Sequence, residues 1–70
     1  MLGGGQMEHI GKRIAELRKR RKMLQSELAE LVGVSAVAIT HWETGKAMPK
    51  SGYLPKLAKA LRCRISYFLQ

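Results

Sequence analysis

Apolar residues recur along most of the chain at three- and four-residue intervals, the spacing of an α-helix, and nowhere alternate with the period of two that a strand requires. At about 100° per residue, Ile10, Ile14, Leu17 and Arg21 project within a narrow arc, which predicts an amphipathic helix over residues 8–22. The basic run Arg18-Lys19-Arg20-Arg21-Lys22 ends it, where cations suit the negative end of the helix dipole. A second, short helix from Gln25 to Val32 brings Leu28, Ala29 and Val32 to one side, and Gly33 supplies the left-handed residue that stops it. Val34 follows as an apolar turn residue. Ser35 can cap a third helix, at about 36–44, by accepting the backbone N–H of Val37 or Ala38. The run Thr44-Gly45-Lys46-Ala47-Met48-Pro49 breaks the pattern into a loop. A fourth helix, about Ser51 to Leu61, buries Leu54, Leu57, Ala58 and Leu61, with Pro55 tolerated because it falls in or beside the first turn. Ile65 to Leu69 forms a last short helix. The pattern predicts an all-α fold, a compact five-helix bundle occupying residues 8–70.

Residues 1–7 hold three glycines and nothing that would fix them in a core, so they read as a flexible arm or a cloning remnant. The apolar fraction, 46% of 70 residues, is enough for one small core. Thirteen Lys and Arg stand against five acidic residues, all Glu, for a net charge of +8. That balance implies a polyanionic partner, and both a nucleic acid and an anionic membrane surface fit it. No apolar run reaches the ~18 residues that span a bilayer, and residues 1–7 lack the layout of a secretory signal, so the expectation is a soluble, unexported protein. One cysteine, Cys63, excludes an internal disulfide and a structural zinc site and suits a reducing cytoplasm. No nucleophile, base and orienting group can be assembled from these residues, so catalysis, a cofactor, a metal and a small-molecule substrate are not expected. Cys63 and His9 read as structural or solvent-exposed.

The third helix carries most of the functional signal. Measured from Ala36, the side chains of Ala36, Thr40, Thr44, Val37 and His41 fall within about 140°, while Ala38, Trp42 and Ile39 fall between about 200° and 300°. One side is core and the other is open, with Glu43 on the border. The open side is small and uncharged, which suits close approach to another molecule. Two helices joined by a Gly-Val-Ser turn, the second with a smooth outward face, meet the needs of a major-groove reader.

The stretch from Ile10 to Leu69 resembles the phage-repressor and Cro type of helix-turn-helix DNA-binding domain. The matching segments are Gly11-Lys12-Arg13-Ile14 with Leu17-Arg18, Gln25 with Glu27-Leu28-Ala29, Gly33-Val34-Ser35, Ile39 with Trp42-Glu43, Gly45-Lys46, Pro49, and Leu57-Ala58-Lys59-Ala60-Leu61. Their order and spacing together make the signal strong. The resemblance implies a lambda-repressor-like bundle that binds double-stranded DNA at a palindromic operator. It places base contacts at Ala36, Val37, Thr40 and His41. Backbone contacts fall on Gln25, Thr44, Gly45, Lys46, Arg18 and Arg13. It also implies an Arg18 to Glu43 pair and a structural Trp42. Leu24 departs from the usual polar N-cap of the second helix, and a missing cap costs about 1 kcal/mol. Ala36 replaces a reader that is commonly polar, so a glutamine-to-adenine contact is not expected.

Val37 can offer only apolar contact, and the apolar group on the major-groove floor is the thymine methyl. Thr40 can donate or accept, and so can His41 according to tautomer. Each has a bland counterpart: Val37 as a lone exposed apolar residue, Thr40 bonded back to its own helix, His41 and Gln25 solvated, Lys46 and Arg13 as solubility charges. Position on the open arc or in the matched loop favours function for Val37, His41, Gln25 and Lys46. One reading helix covers few base pairs, so a homodimer with half-sites about 34 Å apart is expected. The apolar segment Ile65-Ser66-Tyr67-Phe68-Leu69 is a candidate dimer contact or a join to a further domain. A phage or prophage repressor in the bacterial cytoplasm, associated with the nucleoid, is the leading reading. An antitoxin or restriction controller of the same fold, a protein-interaction adaptor and a membrane-active basic peptide are the competitors.

Overall fold

Five helices are held together by an interior of aliphatic side chains with Trp42 and Phe68 among them, and the reasons most begin and end where they do are local. The computed structural model describes residues 2–69, with side chains from Ile10 onward; Met1, Gln70 and the side chain of His9 lie outside them. Helix α1 runs Leu2–Arg20. It buries Ile10, Ile14 and Leu17 and ends in the cations Arg18, Lys19 and Arg20. Its backbone continues through residues 2–7, the stretch expected as an arm. Lys22 closes the helix with φ 56°, sending its N–H to the Lys19 carbonyl at 2.9 Å.

Helix α2, Gln25–Val32, starts from Leu24, which has no side-chain oxygen to cap it. Glu27 reaches back instead, its Oε1 accepting the Leu24 N–H at 2.7 Å, half of a capping box. Gly33 ends α2 at φ 87°, a conformation that a Cβ disfavours, and its N–H returns to the Ala29 carbonyl at 2.8 Å. Ser35 then caps helix α3, Ala36–Thr44, with its Oγ accepting from the Ala38 N–H at 3.2 Å. Gly45, at φ 81°, closes α3.

The fourth helix is shorter than its sequence pattern predicts. Ser51–Tyr53 form a 3-10 turn, and helix α4 covers Leu54–Leu61. Pro55 is the cause: it has no N–H for the Ser51 carbonyl and its ring crowds that oxygen, so the turn tightens and Leu54 donates to Ser51 instead. Leu57, Ala58 and Leu61 are buried from α4. Helix α5, Ile65–Leu69, inserts Phe68 into the same core. The architecture is five α-helices, with no strand among the described residues.

Two polar joints lock helices far apart in sequence. Arg21 donates from Nε to the Leu61 carbonyl at 3.0 Å and from Nη2 to the Arg62 carbonyl at 3.2 Å, placing a cation on the C-terminal end of α4. Arg13 donates from Nη1 to the Tyr67 carbonyl at 2.7 Å and lies 5.2 Å over the Tyr67 ring, tying α1 to α5.

Candidate nucleic-acid interface

Helix α3 rests on the body of the protein through Ile39 and Trp42, both buried, with the Trp42 ring 5.4 Å from that of Tyr53. Beneath it α1 has Gly11, itself buried. A Cβ there would collide with the Trp42 carbonyl oxygen and stand 2.9 Å from that of Glu43, so only glycine lets α1 and α3 approach this closely. Sequence reasoning gave Gly11 no role of its own. Its position between Ile10 and Ile14 on the buried face was the available signal.

The opposite side of α3 faces outward. Ala36 and Val37 are exposed, Val37 at 60%, while Thr40 and His41 are half-buried one turn later. Thr40, His41, Thr44, Gly45 and Lys46 line a shallow open groove at the end of the helix. The expected readers therefore share one surface.

Behind that surface lies a polar chain that crosses three helices. Arg18 of α1 donates from Nε to Glu43 Oε2 at 2.6 Å and from Nη2 to Oε1 at 3.1 Å, and its Nη1 reaches the Met23 carbonyl at 2.8 Å. The side chains of the pair are only 12% and 7% exposed. Gln25, at the start of α2, donates from Nε2 to Glu43 Oε1 at 3.0 Å. Thr40 Oγ1 donates to Gln25 Oε1 at 2.9 Å, with the Ala36 carbonyl at 3.1 Å as a second acceptor.

Several residues expected at the DNA backbone also have partners within the protein. Arg18 has its guanidinium turned inward on Glu43 and Met23, which fits the structural half of its expected role. Arg13 is engaged on Tyr67 in the same way. Thr44 donates its hydroxyl to the Thr40 carbonyl at 2.9 Å, and the Gly45 N–H turns back on the Trp42 carbonyl at 3.3 Å. The Lys46 and Ala47 amides both return to His41, at 2.9 and 3.2 Å. The loop is left to present the exposed Lys46 ammonium, and Gln25 keeps a second Nε2 hydrogen beyond the one given to Glu43.

Residues 14–68 match the helix-turn-helix family. The chain belongs to the helix-turn-helix family. Among helix-turn-helix relatives it is 43% identical over 61 residues to repressor protein C2 of Salmonella phage P22, an alignment covering 87% of this chain and 28% of that protein. It superimposes on the crystal structure of the P22 c2 repressor in complex with a synthetic operator with a TM-score of 0.81 at 42% identity, covering 84% of this chain and 89% of that one. The restriction-modification controller protein C.AhdI from Aeromonas hydrophila matches at a TM-score of 0.86 and 26% identity, over 91% and 97% of the two chains. The chain spans less than half the length of the curated relatives it matches, 28% of the first and 42% of the second.

Proposed function

We propose that this helix-turn-helix chain is a sequence-specific double-stranded DNA-binding transcriptional regulator, a phage- or prophage-type repressor that lays α3 in the major groove of a palindromic operator as a dimer. The observation that carries the reading is Val37, 60% exposed at the outer end of a helix whose other face is sunk into the core. An apolar side chain held out on an uncharged, open face matches the thymine methyl, the apolar group of the major-groove floor. Ala36 beside it is small enough for close approach, and His41 can donate or accept at a base edge. Discrimination by shape and methyl contact leaves part of the specificity to DNA deformability.

Lys46 and the second amide hydrogen of Gln25 supply phosphate contacts, and the net charge of +8 supplies long-range attraction. Support for an operator partner comes from the P22 c2 repressor, solved with a synthetic operator. Ile65 and Leu69, exposed on α5, are the proposed contact between protomers. No helix among the described residues is long and apolar enough to cross a membrane, and action in the cytoplasm on nucleoid DNA follows from the proposed target.

Selection from random duplexes tests the reading. A palindromic consensus with thymines on the Val37 path is the expected result, and indifference to sequence at moderate salt would overturn it. The likeness to C.AhdI favours a restriction-controller role as the second reading. Both readings use the same surface and differ in the promoter that carries the selected site, which a reporter fusion distinguishes.

A further inference from the structure

Thr40 sits at the end of the polar chain and at the edge of the reading surface, and the chemistry of the chain leaves it one way to face DNA. Resting on the proposed insertion of α3 into the major groove, we infer that Thr40 reads a hydrogen-bond donor on a base, the exocyclic amino group of adenine or cytosine, because Arg18, Glu43 and Gln25 together draw its hydroxyl hydrogen inward.

A guanidinium only donates, and the carboxylate opposite it only accepts. Glu43 Oε1 at 3.0 Å from the Gln25 amide therefore faces the amide nitrogen, which turns Gln25 Oε1 toward Thr40. Two oxygens 2.9 Å apart need a hydrogen between them, and Thr40 holds it. The second acceptor within reach, the Ala36 carbonyl at 3.1 Å, also belongs to the protein. In either position the hydrogen points into the fold, and the lone pairs of Oγ1 are what it offers a partner.

A lone pair discriminates sharply in the major groove. Adenine N6 and cytosine N4 present hydrogens there, whereas guanine O6 and N7 and thymine O4 present acceptors. Phosphate oxygens accept as well, so Thr40 is a base reader and not a backbone clamp. Gln25 and Glu43 act as positioning residues, and Arg18 positions them in turn.

The test combines site selection by the whole chain with altered bases. One position of the selected half-site should be enriched in adenine or cytosine. Thr40→Val, which keeps the shape and removes the hydroxyl, should flatten that preference roughly three- to tenfold, the worth of one hydrogen bond, and leave the other positions alone. Thr40→Ser should retain it. Purine in place of that adenine, or 2-pyrimidinone in place of that cytosine, should weaken the wild-type chain by the same factor and leave Thr40→Val unaffected. Gln25→Leu removes the nearer of the two inward acceptors and leaves the Ala36 carbonyl, so discrimination against guanine and thymine at that position should weaken without vanishing. Enrichment of guanine or thymine there by the wild-type chain, or a consensus in which no position responds to Thr40→Val, would overturn the inference while leaving the groove reading intact. Failure to select any site sinks both. Circular dichroism melts of the variants check folding, and the altered bases test the wild-type chain without any substitution.

Discussion

Val37 has a largely exposed side chain and a central part in the proposed recognition, so shortening it separates fold from recognition. Loss of two methyl groups from an apolar contact is worth about 1 to 1.5 kcal/mol, or roughly tenfold in affinity. Val37→Ala should therefore weaken binding to the selected site about tenfold, leave random DNA nearly unaffected and leave thermal stability unchanged; an unaltered ratio of the two affinities would exclude the thymine-methyl contact. Cys63 makes the opposite case. It is half-buried against the core, and burial pushes its thiol above the ordinary value, an effect that the nearby Arg21 only partly offsets. A raised value leaves less thiolate at a given pH. Iodoacetamide should alkylate Cys63 in the folded chain more slowly than in the urea-unfolded chain at pH 8, with the folded rate catching up only in more alkaline buffer; equal rates by mass spectrometry would contradict the burial argument.

Among the elements, α2 and α3 were legible from the sequence because their ends are set by neighbours in the chain: Gly33 and Gly45 at positive φ, Ser35 as a cap. The start of α4 was not, because the pattern shows that Pro55 can be accommodated but not that the turn before it must tighten. Long-range joints were still less visible. Arg13 and Tyr67 are 54 positions apart and carry no periodic signal. The resemblance supplied the Arg18 to Glu43 pair, but the extension through Gln25 to Thr40 requires three helices to be in place at once. That chain makes a prediction at this scale. Arg18→Met strands a buried carboxylate and should cost about 3 kcal/mol, lowering the melting temperature by roughly 12 °C or more. Adding Glu43→Leu should recover most of the loss, since two apolar groups can replace a buried ion pair. Failure of the second change to recover stability would show that the pair acts by more than cancelling its own charges.

Taken whole, the molecule divides its labour between an electrostatic exterior and an uncharged reading face. Affinity for any duplex should fall with salt, log K against log salt having a slope near −0.9 per neutralised phosphate. Lys46→Ala should weaken specific and random DNA alike and reduce that slope by about 1, read by fluorescence anisotropy across a salt series; a loss confined to the specific site would move Lys46 into the reading face.

Where α1 crosses beneath α3 the contact is with main-chain atoms, the carbonyls of Trp42 and Glu43 lying against a residue that has no side chain, Gly11, while Ile39 and Trp42 anchor the same helix in the core. The tilt of α3 is thus set by its inward contacts and not by the residues it displays outward. If α3 reads DNA as proposed, exchanging Ala36, Val37 and His41 for others should leave that mount in place, so that a lineage carrying this scaffold could be readdressed to new sites by a few outward substitutions while its aim stays constant.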